Sequence, residues 1–141
     1  MKKIPRIKNG NLNTLTTKNN RGWIAGWFIE PHDPLHSDDF EVKWSKHPNP
    51  HGKEKKEPQG GPAKTITILI KGKFSVTIPE TNQTFTLNKM GDYVYFDENI
   101  THTWKCLKNP SQMLTIRWPS IPSQSAKSTL KKTRKSYLAK K

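Results

Sequence analysis

Three imidazoles and two carboxylates carry the metal chemistry open to this chain. His47, His51 and His102, joined by Glu54 or Glu57, supply the donors of a three-histidine or a two-histidine-one-carboxylate site. Such sites leave coordination positions open for a substrate. His47 and His51 stand four residues apart, a helical spacing, but Pro48 and Pro50 between them forbid the helix. The pair would therefore converge from a loop, and the plain alternative is that this loop is only solvated. A second mixed segment, residues 30–39, holds His32, His36, Asp33, Asp38 and Asp39, yet its spacing fits no rigid metal site and reads as surface loop. Ligand chemistry of another kind rests on aromatic side chains. Alternation in Phe40-Glu41-Val42-Lys43-Trp44 predicts Phe40, Val42 and Trp44 on an inner face, and His102 with Trp104 on theirs. Aromatic walls with few polar groups suit a small organic ligand, whereas the alternative makes both tryptophans plain core. Arg117 would meet a ligand carboxylate or pair with an acid such as Asp92.

The elements that must position these groups read as strands. Trp23–Ile29 is aromatic and branched, and Phe40–Trp44 alternates apolar with polar residues. Residues 47–62 then form a long loop, since four prolines and three glycines deny both ladder and helix. Thr65–Ile70, a tight turn at Lys71-Gly72-Lys73 and Phe74–Ile78 read as a hairpin. Further strands are expected at Gln83–Leu87, Tyr93–Phe96, His102–Leu107 and Gln112–Trp118. Eight or so short strands predict an all-β closed barrel or jelly roll, an arrangement that protects sheet edges.

At 141 residues there is room for one domain with tails. A lone cysteine, Cys106, excludes an intramolecular disulfide and a tetrathiolate zinc site. No apolar run approaches the roughly 18–20 residues of a membrane span, and Met1–Pro5 is not followed by an apolar leader stretch, so a cytoplasmic protein is expected. The net charge of +14 is unevenly placed: residues 1–21 carry six bases and residues 121–141 seven, neither with an acid, while 22–120 hold 12 bases against 11 acids. The expected organisation is a basic extension over 1–21, a barrel over 22–120 and a basic tail over 121–141. Lys131, Lys132, Arg134 and Lys135 in the tail are candidate contacts to nucleic acid or another polyanion, or simply solubilising charge.

One stretch has more specific spacing. In Gly91–His102, the residues Gly91, Asp97, Asn99 and His102 fall on the four positions of a glycine, proline, glycine and histidine pattern. Asn99 suits its place because asparagine tolerates the left-handed turn conformation. This stretch resembles the second sequence box of the cupins, and Gly72 matches the glycine that closes their first box. The likeness spans roughly residues 24–118 and extends to small bacterial cupins with a reduced first box, through Glu41–His47, His102-Thr103-Trp104 and Arg117-Trp118-Pro119-Ser120. It departs from the family where Thr65 takes the place of the first-box glutamate, where Pro58–Gly61 lacks the histidine pair, and where Cys106 takes the place of an asparagine.

The resemblance implies a cupin-like double-stranded β-helix, a jelly-roll barrel, that binds a small molecule. It also places His102 in the barrel mouth, where it would be a ligand of a reduced site for one transition metal (iron, manganese, nickel or zinc); on the reading of the residues themselves, His47 would be the second ligand and a loop carboxylate the third. Trp44, Thr65, Trp104 and Arg117 would line the pocket, with Arg117 as substrate anchor. Two other readings stand beside this one. The barrel is either a metal-free interaction or sensing module docked to nucleic acid or another polyanion by its tails, or a structural homodimer.

Overall fold

The computed structural model describes residues 5–15, 21–47 and 60–121. Six strands are present among them: β1 (Trp23–Ala25), β2 (Glu41–His47), β3 (Lys64–Ile78), β4 (Gln83–Leu87), β5 (Tyr93–Phe96) and β6 (Thr103–Trp118). Every pairing is antiparallel, in the order β1-β2-β6-β3-β4, with β5 also on β3. One turn of helix, α1 (Leu12–Leu15), precedes them. No helix among the described residues is long and apolar enough to cross a membrane. The sheet folds back on itself. Leu69, Val94 and Met113 from its first half share one buried cluster with Phe74, Val76, Ile78, Leu87 and Cys106 from its second.

The strands β4 and β5 match the ranges expected from branched and aromatic residues between turn formers, and Asn99 adopts the expected left-handed φ of 63°. Its N–H donates to the Gly61 carbonyl at 2.7 Å. The hairpin expected at Lys71-Gly72-Lys73 is not formed. Instead β3 continues through Gly72, and β6 likewise continues through the expected break between Leu107 and Gln112. Both halves of β3 pair with β6, and the register slips between Leu69 and Phe74. These slips are β-bulges, which bend a strand so that one long pair can serve both halves of a barrel. Gly72 makes the bend with φ 93°, and the fully buried Ser111 hydroxyl locks it, accepting the Lys73 N–H at 3.0 Å and lying 2.6 Å from the Lys108 carbonyl. A glycine followed by a continuing branched run is shared by hairpins and bulges, so local pattern does not tell them apart.

Around the β2–β6–β3–β5 region the usual distribution of residues is reversed. The core-facing side carries Glu41, Lys43, Ser45 and His47 on β2, facing Arg117, Thr115, Met113 and Ser111 on β6. Thr65, Thr67 and Leu69 continue this side onto β3, with only Leu69 and Met113 in the apolar cluster. The opposite side is apolar in two unbroken rows. Trp44, Leu114, Ile68 and Tyr93 form one, and Val42, Ile116, Ile66 and Tyr95 the other. The barrel's second half follows the conventional rule, with Phe74, Val76 and Ile78 facing in.

Residues 21–39 form a lid. Trp23, Phe28 and Ile29 make a second buried cluster, with Trp27 and Leu35 against it. The lid is tied by the Gly26 N–H to the Leu35 carbonyl at 3.1 Å and by His36 Nδ1 within 2.7 Å of the Ile29 carbonyl. As expected, residues 30–39 form a loop. Asp33 receives Lys8 at 3.1 Å, so the amino-terminal segment is held against it.

Candidate functional site

The polar inner side begins with an ion pair. Arg117 Nε lies 2.8 Å from Glu41 Oε1, and Ser120 donates to Glu41 Oε2 at 3.3 Å while accepting the Trp27 N–H at 2.9 Å. Glu41 is 2% exposed. Burial pushes its carboxyl up from the ordinary value, while the Arg117 charge and the Ser120 hydrogen bond pull it back. Burial likewise pulls the Arg117 guanidinium down against the opposing pull of Glu41. The guanidinium also lies over Trp23, 4.4 Å from the ring centroid, and Lys43 Nζ approaches the same ring at 5.5 Å. Two cations and one carboxylate therefore share this side, with the indole as an apolar wall. Beyond them Thr67 and Thr115 bond through their hydroxyls at 2.9 Å.

His47 closes the lane at the end of β2. Its ring stands 4.7 Å from Trp104 and 5.1 Å from Phe74, and Nε2 is 3.3 Å from the Ser45 hydroxyl. Burial first, and the Lys43 charge second, lower its pKa to about 4. The unfolded chain takes up that proton near pH 6.5, the folded chain only near 4, so the unfolded state binds more protons between these values. Stability is therefore fully present above about pH 6.5, falls as pH drops toward 4 and then levels. Chemical denaturation of the wild type and of His47→Gln across this range should show a difference with slope up to ~1.4 kcal/mol per pH unit. A flat difference would refute the neutral, half-buried histidine.

The structure unites some of the expected site residues and separates others. Thr65 is buried on the inner side and stands opposite Arg117 in register. Trp104 meets His47 and stacks on Phe74 at 5.3 Å, so it belongs to the wall of the core. Trp44 requires correction. It lies on the outer rows, and its Nε1–H donates to Asn13 Oδ1 at 2.9 Å, because the core side of β2 belongs to Glu41, Lys43, Ser45 and His47. Phe40 precedes the strand and is exposed. Arg117 does not take Asp92, whose Oδ2 instead accepts the Asn88 and Lys89 N–H groups at 2.9 Å; those bonds hold the Asp92 carboxyl below its usual range. His51, Glu54, Glu57 and the tail candidates Lys131, Lys132, Arg134 and Lys135 lie outside the described residues.

The donor set described does not fit a metal. Among the described residues no three His, Cys, Asp or Glu side chains come together. His102 tilts onto Phe96 with ring centroids 4.5 Å apart, His47 is wedged between aromatic rings, and Thr65 supplies no carboxylate where the resemblance needs one. The groups missed from sequence are Glu41, Lys43, Trp23 and Ser120. Charged residues in a half-buried strand pattern are ordinarily assigned to solvent, and nothing local links Glu41 to residues 117 and 120.

No family model matches the chain, and neither does any curated protein. Solved structures match its fold. The DMSP lyase DddQ of Ruegeria pomeroyi superposes with a TM-score of 0.52 and 21% identity over 64% of this chain and 44% of that one. An RmlC-like cupin family protein with a double-stranded β-helix fold from Methanocaldococcus jannaschii gives 0.51 and 16%, covering 60% and 73%. KdgF from Halomonas sp. gives 0.52 and 18%, covering 60% and 72%. The chain spans less than half of the lyase's length, and at these identities the likeness is one of fold.

Proposed function

From a chain with the cupin fold and a polar lane on its inner side, we propose a small-molecule-binding barrel whose ligand is an organic anion. The observation that carries this reading is the make-up of the lane: Lys43 and Arg117 lie with Glu41 on its inner side, and both cations stand against the Trp23 ring. Glu41 is engaged by Arg117 and Ser120, and the lane presents two cations beside an aromatic wall. A carboxylate on an apolar body matches both parts. Its charge meets Lys43, its body lies along Trp23, and the Thr65 and Thr115 hydroxyls lie within the same lane. The fold supports the general reading, since one of the structures sharing it is named a DMSP lyase.

Thermal shift and calorimetry with a panel of aliphatic and aromatic carboxylates, each beside its neutral amide, test the proposal. Carboxylates should bind and amides should not, and Lys43→Met should weaken the best carboxylate at least about tenfold. Equal binding of acids and amides, or a Lys43→Met protein that binds as well as the wild type, would refute it.

A further inference from the structure

We propose that the paired hydroxyls of Thr67 and Thr115 recognise a hydroxyl on the ligand, so that the acid taken by the lane is a hydroxycarboxylate. This rests on the anion-binding reading above and adds a second recognised group to it. One row of side chains crosses the inner side from strand to strand. Trp23 stands opposite Lys43, Lys43 opposite Thr115, Thr115 opposite Thr67 and Thr67 opposite Val94. An aromatic ring, a cation, two hydroxyls and an apolar end thus follow one another at the spacing of neighbouring strands, about 4.8 Å. Residues directly opposite each other in an antiparallel pair share a face and touch. Side chains that point into a barrel are ordinarily buried, yet Lys43, Ser45, Thr115 and Arg117 are only half-buried, so solvent reaches this stretch of the interior. The adjoining row closes it, since Leu69 and Met113 there are fully buried.

The hydrogen-bonding capacity of the pair names the group it takes. Thr67 Oγ1 and Thr115 Oγ1 lie 2.9 Å apart, and either can be the donor. Each hydroxyl has a proton to give and lone pairs to accept with, and the mutual bond uses only one proton. Among the described residues neither hydroxyl makes a further hydrogen bond. The pair therefore keeps a proton to donate and lone pairs to accept, and it can reverse its direction. A ligand hydroxyl, itself donor and acceptor, satisfies both capacities, whereas an ether only accepts and a methyl group does neither. A carboxylate held by Lys43 sets the second or third carbon of the acid beside the next strand, where the pair stands. The same arrangement recurs at Thr77 and Thr84, whose hydroxyls are also 2.9 Å apart, at an exposed place between β3 and β4. Threonine pairing by itself only supports a sheet, and it is the inner pair that shares its row with a cation.

Calorimetry of the full chain with matched acids tests this: lactate against propionate, β-hydroxybutyrate against butyrate, and mandelate against phenylacetate. In at least one pair the hydroxy acid should bind about fivefold or more tightly than its counterpart. The double variant Thr67→Val with Thr115→Val keeps both shapes and removes both hydroxyls, a replacement that leaves no partner stranded. Its preference for the hydroxy acid should vanish while its affinity for the plain acid stays as in the wild type. Thr84→Val, at the exposed pair, should change neither affinity. A wild type that binds plain and hydroxy acids equally overturns the proposal without any variant, and leaves the anion reading standing. A double variant that keeps the preference, or a Thr84→Val protein that loses it, overturns the proposal as well. Failure of every acid to bind overturns both readings together.

Discussion

Replacing Glu41 with leucine should destabilise the fold by about 3 kcal/mol, the lower part of the range for a broken buried pair. The loss comes from Arg117, whose guanidinium would keep its place under Trp23 without the carboxylate 2.8 Å away. The Arg117 side chain is 26% exposed, so water relieves part of that cost. Arg117→Met should be the harsher change, because it strands a carboxylate whose side chain is 3% exposed. Its penalty should shrink as the solution is acidified. The Arg117 charge lowers the Glu41 pKa, so without it the carboxyl takes up a proton more readily and then needs no counter-charge. The double variant, Glu41→Leu with Arg117→Met, should recover most of the lost stability, since a matched apolar pair leaves neither charge stranded. Urea midpoints of the four proteins measure this directly. Additive losses in the double variant would show that the two residues act separately.

Gly72→Ala should cost about 2–4 kcal/mol, by two effects that a control separates. The backbone at Gly72 has φ 93°, and a Cβ there would sit 2.4 Å from the Ser111 hydroxyl and 2.5 Å from the Pro110 carbonyl. Neither neighbour yields easily, because Ser111 is fully buried and bonded across the bend. Gly91 has the same φ of 93° but nothing within 4 Å of an added Cβ. Gly91→Ala should therefore cost only the conformational strain, about 1 kcal/mol. Equal losses at the two glycines would mean that the clash at the β3–β6 bend is relieved by movement, and that the bend does not hold the two halves of the barrel together.

His47, whose half-buried imidazole should make stability fall below about pH 6.5, belongs to the same lane as Glu41 and Lys43, yet only part of this arrangement was legible beforehand. Residue types and turn formers identified an all-β chain, delimited β4 and β5 to the residue and placed Asn99 in a left-handed turn. Those features depend on a residue and its immediate neighbours. Thr65 lies on the inner side and Trp104 stacks on Phe74 against the core.

What sequence could not decide is the sense of the alternation. A period of two shows that Val42 and Trp44 share one side and Glu41, Lys43 and Ser45 the other, but it does not say which side faces the core. Apolar residues are normally placed inward by the hydrophobic effect, and here that rule assigns Trp44 to the wrong side. The choice is made by register across the sheet. Pairing β2 with β6 sets Glu41 opposite Arg117, pairing β6 with β3 sets Thr115 opposite Thr67, Ser120 beyond β6 returns to Glu41, and the lid sets Trp23 against the charges. Each of these contacts joins residues far apart in the chain. A buried ion pair is tolerable only when all its partners are in place, so the polar interior is a property of the assembled barrel that no single strand can announce.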